Sequence, residues 1–174
     1  MKKYRVIFLV FLISVALSTL HAKEYFVSED GVDAAGRDGS GIQPWRQMQW
    51  VLNNSILQSG DTLTVLPGFY QRLSFWNERY FFDPENPILI RSREIHAAHT
   101  DGINMGKGTG IIFEGLEVGP GREGQNVVHL MFTDVHDIVI RSFLIHDAAP
   151  GGDCLKINSG AHHIIVENGV IYNP

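Results

Sequence analysis

Short apolar runs recur along most of the chain at intervals of two dozen residues. Five of them read LTV, ILIRS, IIFEGLEV, IVIRSFLI and IIVENGVI, and they begin at Leu63, Ile88, Ile111, Ile138 and Ile164. The intervals between these positions are 25, 23, 27 and 26 residues. A period of this length is typical of solenoids, in which each repeat adds one coil to a shared core. The pattern therefore predicts stacked coils.

The fourth and fifth runs match best. A shift of 26 residues superposes the apolar positions Ile138, Ile140, Leu144 and Ile145 on Ile164, Val166, Val170 and Ile171. The same shift places Arg141 beside Glu167, where we expect a surface ion pair. Identity between the runs is low while the apolar pattern is kept, as coils with a common core require.

A second series of strands runs through the same coils. The segments INM, LMF and LKI begin at Ile103, Leu130 and Leu155, at intervals of 27 and 25 residues, so we expect Leu130 to lie over Leu155. Gly, Asn, Asp and His cluster between the two series as turn residues. A leucine-rich repeat has a similar period, but its asparagine and leucine spacing is missing. The pattern predicts an all-β fold, a parallel β-helix.

The N-terminal part has a different pattern. In residues 45–58, which follow Pro44, the apolar residues recur at steps of three and four: Trp45, Met48, Val51, Leu52 and Ile56. This spacing predicts an amphipathic helix that closes one end of the solenoid. Residues 28–41, SEDGVDAAGRDGSG, are a surface loop by composition, with Ca²⁺ binding as the alternative.

No comparable closing segment follows the last run. Val170, Ile171 and Tyr172 complete a strand shortly before Pro174. A coil that ends there leaves its apolar cross-section uncovered. We therefore expect residues 23–174 to be the N-terminal part of a longer β-helix domain, truncated at its C-terminal end.

Residues 1–22 have the order of a secretory signal peptide. Lys2, Lys3 and Arg5 precede an apolar run of about 12 residues, and the small residue Ala22 ends the segment. The run is shorter than a membrane-spanning helix needs, which is about 18–20 residues. We expect cleavage, a protein secreted to the periplasm or beyond the cell, and no membrane association afterwards; a retained anchor is the alternative.

Charge and cysteine content narrow the function classes. Without the signal, 11 basic residues face 19 acidic ones, a net charge of −8. This excess argues against nucleic acid as a partner, and an anionic substrate would need a bound cation or a local cluster of Lys and Arg. Cys154 is the one cysteine, so no internal disulfide is possible. We expect a monomer stabilised by packing.

The N-terminal block resembles the opening of secreted right-handed parallel β-helix proteins of the pectate-lyase-like superfamily. These share a YxVS strand, a Gly and Asp loop, PW before a capping helix, and GDTxxVxPGxY. The matching residues are Tyr25, Val27, Ser28, Pro44, Trp45, Gly60, Asp61, Thr62, Val65, Pro67, Gly68 and Tyr70. The resemblance covers essentially all of residues 23–174. It implies the fold and leaves the activity open, because the superfamily includes lyases, hydrolases, epimerases and non-catalytic proteins.

Two further segments resemble the aspartate-bearing strands of polygalacturonase-type hydrolases. They are TDGIN, which contains Asp101 and Asn104, and GDCLKINSG, which contains Asp153 and Lys156. Gly152 stands where that family has its first Asp, and the motifs lie two coils apart instead of on neighbouring coils. Two coils separate Asp101 from Asp153 by about 10 Å, which is at or beyond the limit for an inverting carboxylate pair.

Strand alternation indicates which side chains face outward. If Leu155 and Ile157 point inward, Cys154 and Lys156 point outward, and His129 and Met131 do the same one coil earlier. The resemblance implies that the lyases lay an acidic polysaccharide along such a surface. In those enzymes Ca²⁺ neutralises the uronate carboxylate, and a Lys or Arg removes the C5 proton. A lysine serves as that base only when cationic neighbours or desolvation lower its pKa.

The sequence therefore predicts an exported carbohydrate-active protein, a polysaccharide lyase that cleaves a uronate-containing polymer with Ca²⁺. The candidate catalytic residues are Lys156 and Asp153. The candidate metal ligands are Asp101, Asp153 and Asp147, with Asp134 nearby. The candidate substrate-binding residues are His129, Met131 and Asn104. The alternatives are a polygalacturonase-type hydrolase and a non-catalytic surface or adhesive β-helix. The aromatic residues Trp76, Tyr80, Phe81 and Phe82 either pack over the core edge or present faces that stack on sugars.

Overall fold

The computed structural model describes residues 22–174 and shows a parallel β-helix of about four coils. The predicted signal peptide lies outside these residues, apart from Ala22. The elements, in chain order, are β1 (Glu24–Val27), α1 (Met48–Asn53), β2 (Thr62–Val65), β3 (Gly68–Tyr70), β4 (Leu73–Phe75), a 3₁₀ helix (Glu78–Tyr80), β5 (Ile88–Ser92), β6 (Ala98–Thr100), β7 (Ile103–Met105), β8 (Gly108–Glu114), β9 (Glu117–Val118), β10 (Val128–Met131), β11 (Val135–Arg141), β12 (Leu144–His146), β13 (Leu155–Asn158), β14 (His162–Glu167) and β15 (Val170–Tyr172).

Three parallel sheets form the walls of the solenoid. Sheet A has the order β1-β2-β5-β8-β11-β14, sheet B the order β3-β6-β9-β12-β15, and sheet C the order β4-β7-β10-β13. Each coil passes through one strand of A, one of B and one of C. The predicted all-β parallel β-helix is confirmed, and each coil has three strands where the sequence indicated at least two.

Inward-facing apolar side chains from the three sheets form one continuous core. In sheet A, Ile88, Ile111 and Ile138 stack in register, and none of the three is exposed to solvent. In sheet C, Met105 and Leu130 stack in the same way. Each such side chain contributes about 1.5–3 kcal/mol through burial. This burial stabilises a chain whose single cysteine, Cys154, is free.

The predicted register is correct in part. Ile88, Ile111, Ile138 and Ile164 follow one another in sheet A as expected, but Leu63 pairs with Ile90. In sheet C, Leu130 pairs with Ile157, so the expected stacking of Leu130 on Leu155 is wrong by two residues. A shift of two residues keeps each side chain on the same face of its strand. The inward and outward assignments within the strands therefore survive the error.

The N-terminal helix is present but shorter than the pattern predicted. It covers Met48–Asn53, and its buried face consists of Met48, Val51 and Leu52. The side chain of Gln49 continues sheet C beyond its first strand: its Oε1 accepts from the Ser74 amide at 2.7 Å, and its Nε2 donates to the Ser74 carbonyl at 3.1 Å. The helix thus covers a strand edge that would otherwise be open.

Two details of the last coils differ from expectation, and a third agrees with it. Cys154 was expected to face outward, but it is buried before β13 and its Sγ donates to the Tyr172 carbonyl at 3.5 Å. Arg141 pairs with Glu114 of the preceding coil at 2.6 Å, not with Glu167. No segment described by the structure covers the apolar side of β15, where Val170 is 54% exposed.

Residues 22–174 contain no helix long and apolar enough to cross a membrane.

Candidate functional site

The outer face of sheet C carries a ladder of polar side chains. Ser74, Asn104, His129 and Lys156 are register partners on β4, β7, β10 and β13. Neighbouring strands lie about 4.8 Å apart, so the four side chains follow the solenoid axis at that spacing. We call them the sheet C ladder. The expected outward orientation of His129 and Lys156 is confirmed, and Met131 lies beside them, partly exposed, at the end of β10.

A second stack borders the ladder, at the corner where sheet B leads into sheet C. Each of its members lies two residues before the first residue of a sheet C strand, and successive members therefore stack from coil to coil. They are Gln71, Asp101, Asn126 and Asp153. Asp101 and Asp153 are therefore two coils apart, as the sequence indicated, with Asn126 between them. Asn126 fills the middle position with an amide whose Oδ1 accepts from the Asp153 backbone N–H at 2.8 Å.

Two arginines surround Asp101. Arg122 donates from Nε to Asp101 Oδ2 at 2.9 Å, and its Nη2 contacts the same oxygen. Arg72 donates from Nη1 to the backbone carbonyl of Asp101 at 3.2 Å and from Nη2 to that of Asn126. One carboxylate thus stands beside two guanidinium groups. This corner carries an excess of positive charge in a chain that is acidic as a whole.

Arg72 is half-buried because Gly102 makes room for it. A Cβ at Gly102 would lie 2.2 Å from Arg72 Nη1, so a larger residue there would displace the guanidinium. Burial lowers the pKa of Arg72 below its ordinary value; the Asp101 charge opposes this shift and the nearby Arg122 cation adds to it. A buried cation without a full counter-charge is stabilised by an anion that binds next to it.

The ladder and the corner stack border one open groove of about 850 Å³. Its lining residues are Gln71, Arg72, Ser74, Asn104, Arg122, Gly124, Gln125, Asn126 and His129. Three buried polar atoms in this region have no hydrogen-bond partner: Arg72 Nε, Asp101 Oδ1 and Asn104 Oδ1. Buried polar atoms are normally satisfied. The groove therefore offers donors and acceptors to a polar ligand.

His129 is held between two asparagine side chains. Its Nδ1 lies 3.1 Å from Asn126 Nδ2, and its Nε2 lies 3.1 Å from Asn158 Oδ1. A neutral imidazole protonated at Nε2 satisfies both contacts, because it accepts at one nitrogen and donates at the other. The ring is thereby fixed in the ladder, with its orientation set by two coils.

Lys156 and Asp153, the candidate catalytic pair, form an ion pair. Lys156 Nζ lies 3.0 Å from Asp153 Oδ2, and both side chains are about half exposed to solvent. The neighbour of the lysine is a carboxylate, and 44% of the lysine side chain is exposed to solvent. The pair lies at the end of the ladder, one coil beyond His129.

The three aspartates expected to bind a cation have separate partners. Asp101 is paired with Arg122 and Asp153 with Lys156. Asp147 follows β12, and its carboxylate contacts Asn173 Nδ2 at 2.7 Å and His146 Nδ1 at 2.8 Å. Both hydrogen bonds lower the pKa of Asp147, and the one from Asn173 has the larger effect.

Calcium takes six to eight oxygen ligands in most proteins. Within residues 22–174, no three or more His, Cys, Asp or Glu side chains form a group able to hold a metal ion. Asp134, also a candidate, contacts Lys107 at 3.6 Å. These residues do not fit a shared Ca²⁺ site, and the Ca²⁺ expectation stays a prediction.

The repeat pattern of the sequence does not indicate the residues that set the charge of the groove. Arg72 lies immediately before β4, and Arg122 lies in the long turn between β9 and β10, which has no repeat pattern. One signal was available: GFYQRL places Arg72 directly before an inward leucine of the strand series. No pattern in the sequence indicates that Arg122 folds back onto Asp101.

The aromatic segment after β4 is divided between packing and exposure. Tyr80 is 4% exposed and packs edge-on against Phe75, with ring centroids 5.0 Å apart. Phe82 is partly buried against the core. Trp76 and Phe81 are exposed.

No family model, curated protein or solved structure matches this chain.

Proposed function

We propose that this protein is an exported carbohydrate-active protein that binds an acidic polysaccharide along the groove of sheet C. The observation that carries the proposal is a pair of guanidinium groups with one carboxylate between them: Arg122 pairs with the Asp101 carboxylate, and Arg72 donates to the Asp101 backbone carbonyl. Export is supported by the order of residues 1–22. Distant membership of the pectate-lyase-like superfamily is supported by the N-terminal residue pattern together with the parallel β-helix.

Electrostatics favours an anionic ligand at this corner and disfavours it over most of the remaining surface. With a net charge of −8 after signal removal, the protein as a whole repels a polyanion. The Arg122 side chain is 59% exposed. Its planar guanidinium group can donate two parallel hydrogen bonds to a carboxylate ligand. The neighbouring amides of Gln71, Gln125 and Asn126 suit sugar hydroxyls.

The chemistry that we propose for the bound polymer is β-elimination. The arginines stabilise the negative charge that develops on the uronate carboxylate, so the C5 proton becomes more acidic. Lys156 Nζ accepts that proton once the bound polymer has displaced water and Asp153 from it, because desolvation favours the uncharged lysine; the electron pair forms the C4–C5 double bond, the C4–O bond breaks, and the leaving oxygen takes a proton from solvent. To act in this way, Lys156 has to exchange its contact with Asp153 for the substrate.

Binding without catalysis is the second candidate, and the ion pair between Lys156 and Asp153 favours it. A half-exposed lysine that contacts a carboxylate has the surroundings of an ordinary surface residue. A hydrolase has less support, because Asp101 and Asp153 lie two coils apart and each is paired with a cationic side chain.

Binding is tested with the exposed arginine. We expect Arg122→Gln to weaken binding of a galacturonate hexasaccharide about tenfold, since one charge-assisted hydrogen bond contributes about 1.5–3 kcal/mol. Arg93→Gln is the matched control: Arg93 is exposed, follows β5 on sheet A, and changes the net charge equally. Equal affinities of both variants and the wild type, measured by titration calorimetry, would contradict the proposal.

Catalysis is tested separately with Lys156→Met. Ultraviolet absorbance of the unsaturated uronate product reports elimination, and reducing ends without that absorbance report hydrolysis. We expect the variant to lose product formation while it binds the hexasaccharide within about threefold of the wild type. Binding without either product from the wild type would assign the non-catalytic function.

A further inference from the structure

Two exposed aromatic rings lie beside each other where the strands of sheet C end. Trp76 directly follows β4 and is 51% exposed, and Phe132 directly follows β10 and is 46% exposed. Their ring centroids are 6.3 Å apart, at an interplanar angle of 64°. We call the pair the corner platform. Adjoining exposed apolar side chains with polar residues around them form the kind of patch that marks ligand-binding grooves.

Gly106, which follows the intervening strand β7, allows the platform to form. A Cβ on Gly106 would lie 2.3 Å from Trp76 Cζ3, inside the volume of the indole ring. The indole ring therefore packs closely against the backbone of Gly106, because this residue has no side chain. Any larger residue at this position would displace the ring from Phe132.

Phe132 is held in an unusual backbone conformation. Its φ is 73°, and it is the one hydrophobic residue among the ten non-glycine residues with positive φ in the part of the chain that the structure describes. At the same corner of the next coil, Ser159 follows β13 with a φ of 53°. A bulky side chain is disfavoured in this region. Because Phe132 remains 46% exposed, burial offsets only part of the cost of this conformation.

The platform lies at the ends of the sheet C strands whose ladder residues line the groove. Trp76 lies two residues beyond Ser74, and Gly106 two residues beyond Asn104, both members of the ladder; Phe132 follows Met131. Lys107, beside the platform, is already paired with Glu78 and Asp134 at 3.2 and 3.6 Å. This edge of sheet C therefore offers an apolar face, while the arginines at the opposite edge offer positive charge.

We propose that the corner platform is a stacking subsite for a pyranose ring of the polysaccharide, placed across sheet C from the arginine corner. The C–H face of a pyranose packs on aromatic rings, while its hydroxyl groups remain hydrated. The identity of the polymer as acidic rests on the proposed function. The stacking itself rests on the two rings and requires no charge on the sugar.

The test uses Phe132→Ser. Serine is the residue that occupies the same corner of the next coil, at Ser159. We expect the variant to bind a galacturonate hexasaccharide about three- to tenfold more weakly than the wild type, the range expected for loss of one aromatic contact. Trp76→Ala is the second variant, and Phe69→Ser is the control, because Phe69 is 73% exposed on sheet B. Circular dichroism checks that each variant has folded.

The outcomes separate this inference from the proposed function. If Arg122→Gln weakens binding while both platform variants bind like the wild type, the subsite is refuted and the acidic groove stands. If the platform variants weaken binding of galacturonate and glucose hexasaccharides equally and Arg122→Gln has no effect, the subsite stands and the acidic ligand is refuted. If the wild type binds none of the galacturonate, mannuronate and glucose hexasaccharides, both the stacking subsite and the proposed function are refuted.

Discussion

Leu130 stacks between Met105 and Ile157 in sheet C, and this arrangement predicts different losses of stability for Leu130→Ala and Ile157→Ala. Both Leu130 and Ile157 point inward from sheet C and are register partners. Leu130 is fully buried, whereas Ile157 on the last sheet C strand is 41% exposed. Truncation to alanine therefore leaves an enclosed cavity at Leu130 and an open indentation at Ile157.

The expected magnitudes follow from that difference. Leu130→Ala should reduce the free energy of unfolding by about 2–5 kcal/mol, because the lost transfer energy and the cavity both contribute. Ile157→Ala loses only part of the transfer energy and creates no enclosed void, so we expect about 1 kcal/mol. For a chain of this size, 1 kcal/mol corresponds to roughly 2–4 °C in melting temperature.

The assay is urea and thermal unfolding of both variants, followed by far-ultraviolet circular dichroism. A solenoid can lose an end coil before the remainder unfolds, so a shallow early phase should appear for Ile157→Ala and not for Leu130→Ala. Similar losses of stability in the two variants, or a larger loss for Ile157→Ala, would refute the register and burial on which the reasoning depends.

Three further predictions concern other parts of the fold. Burial raises the pKa of the Tyr70 hydroxyl to about 12 from its usual 10. The protonated hydroxyl therefore contributes fully to stability below pH 10, and this contribution is lost as pH rises towards 12. The difference in unfolding free energy between the wild type and Tyr70→Phe should shrink across that interval. Gln49→Leu removes both hydrogen bonds to the Ser74 backbone, which should cost about 1–3 kcal/mol and increase light scattering through the uncovered edge. Treatment with a calcium chelator should leave hexasaccharide binding unchanged within about twofold, because the arginines provide the positive charge.

Each of these has a clear contrary result. Parallel pH curves for the two Tyr70 proteins would show that the hydroxyl does not titrate as inferred. Unchanged stability and scattering of Gln49→Leu would mean that water replaces the amide at the strand edge. Loss of binding on chelation, restored by added Ca²⁺, would support the cation that the sequence predicted and would require a ligand set other than separately paired aspartates.

Much of the fold was predictable because burial acts on each coil in the same way. Every strand needs inward apolar residues at alternate positions, so the intervals between Ile88, Ile111 and Ile138 appear directly in the sequence. The register error at Leu130 arises from the same property: a strand shifted by two residues presents an equally apolar face. Only the turn between strands, whose length varies from coil to coil, decides between Leu155 and Ile157 as the partner.

The ladder residues were partly predictable, and the charge of the groove was not. Alternation alone places His129 and Lys156 on the outer face of sheet C. The positions of Arg72 and Arg122 depend on an irregular turn and on the space above Gly102, which no periodic pattern encodes. The sequence by itself determined the stacked coils, because hydrophobic burial is repeated and local. The tertiary structure decided which charged groups meet in the groove, because the contacts of Arg72 and Arg122 join residues 21 to 54 positions apart through turns that do not repeat.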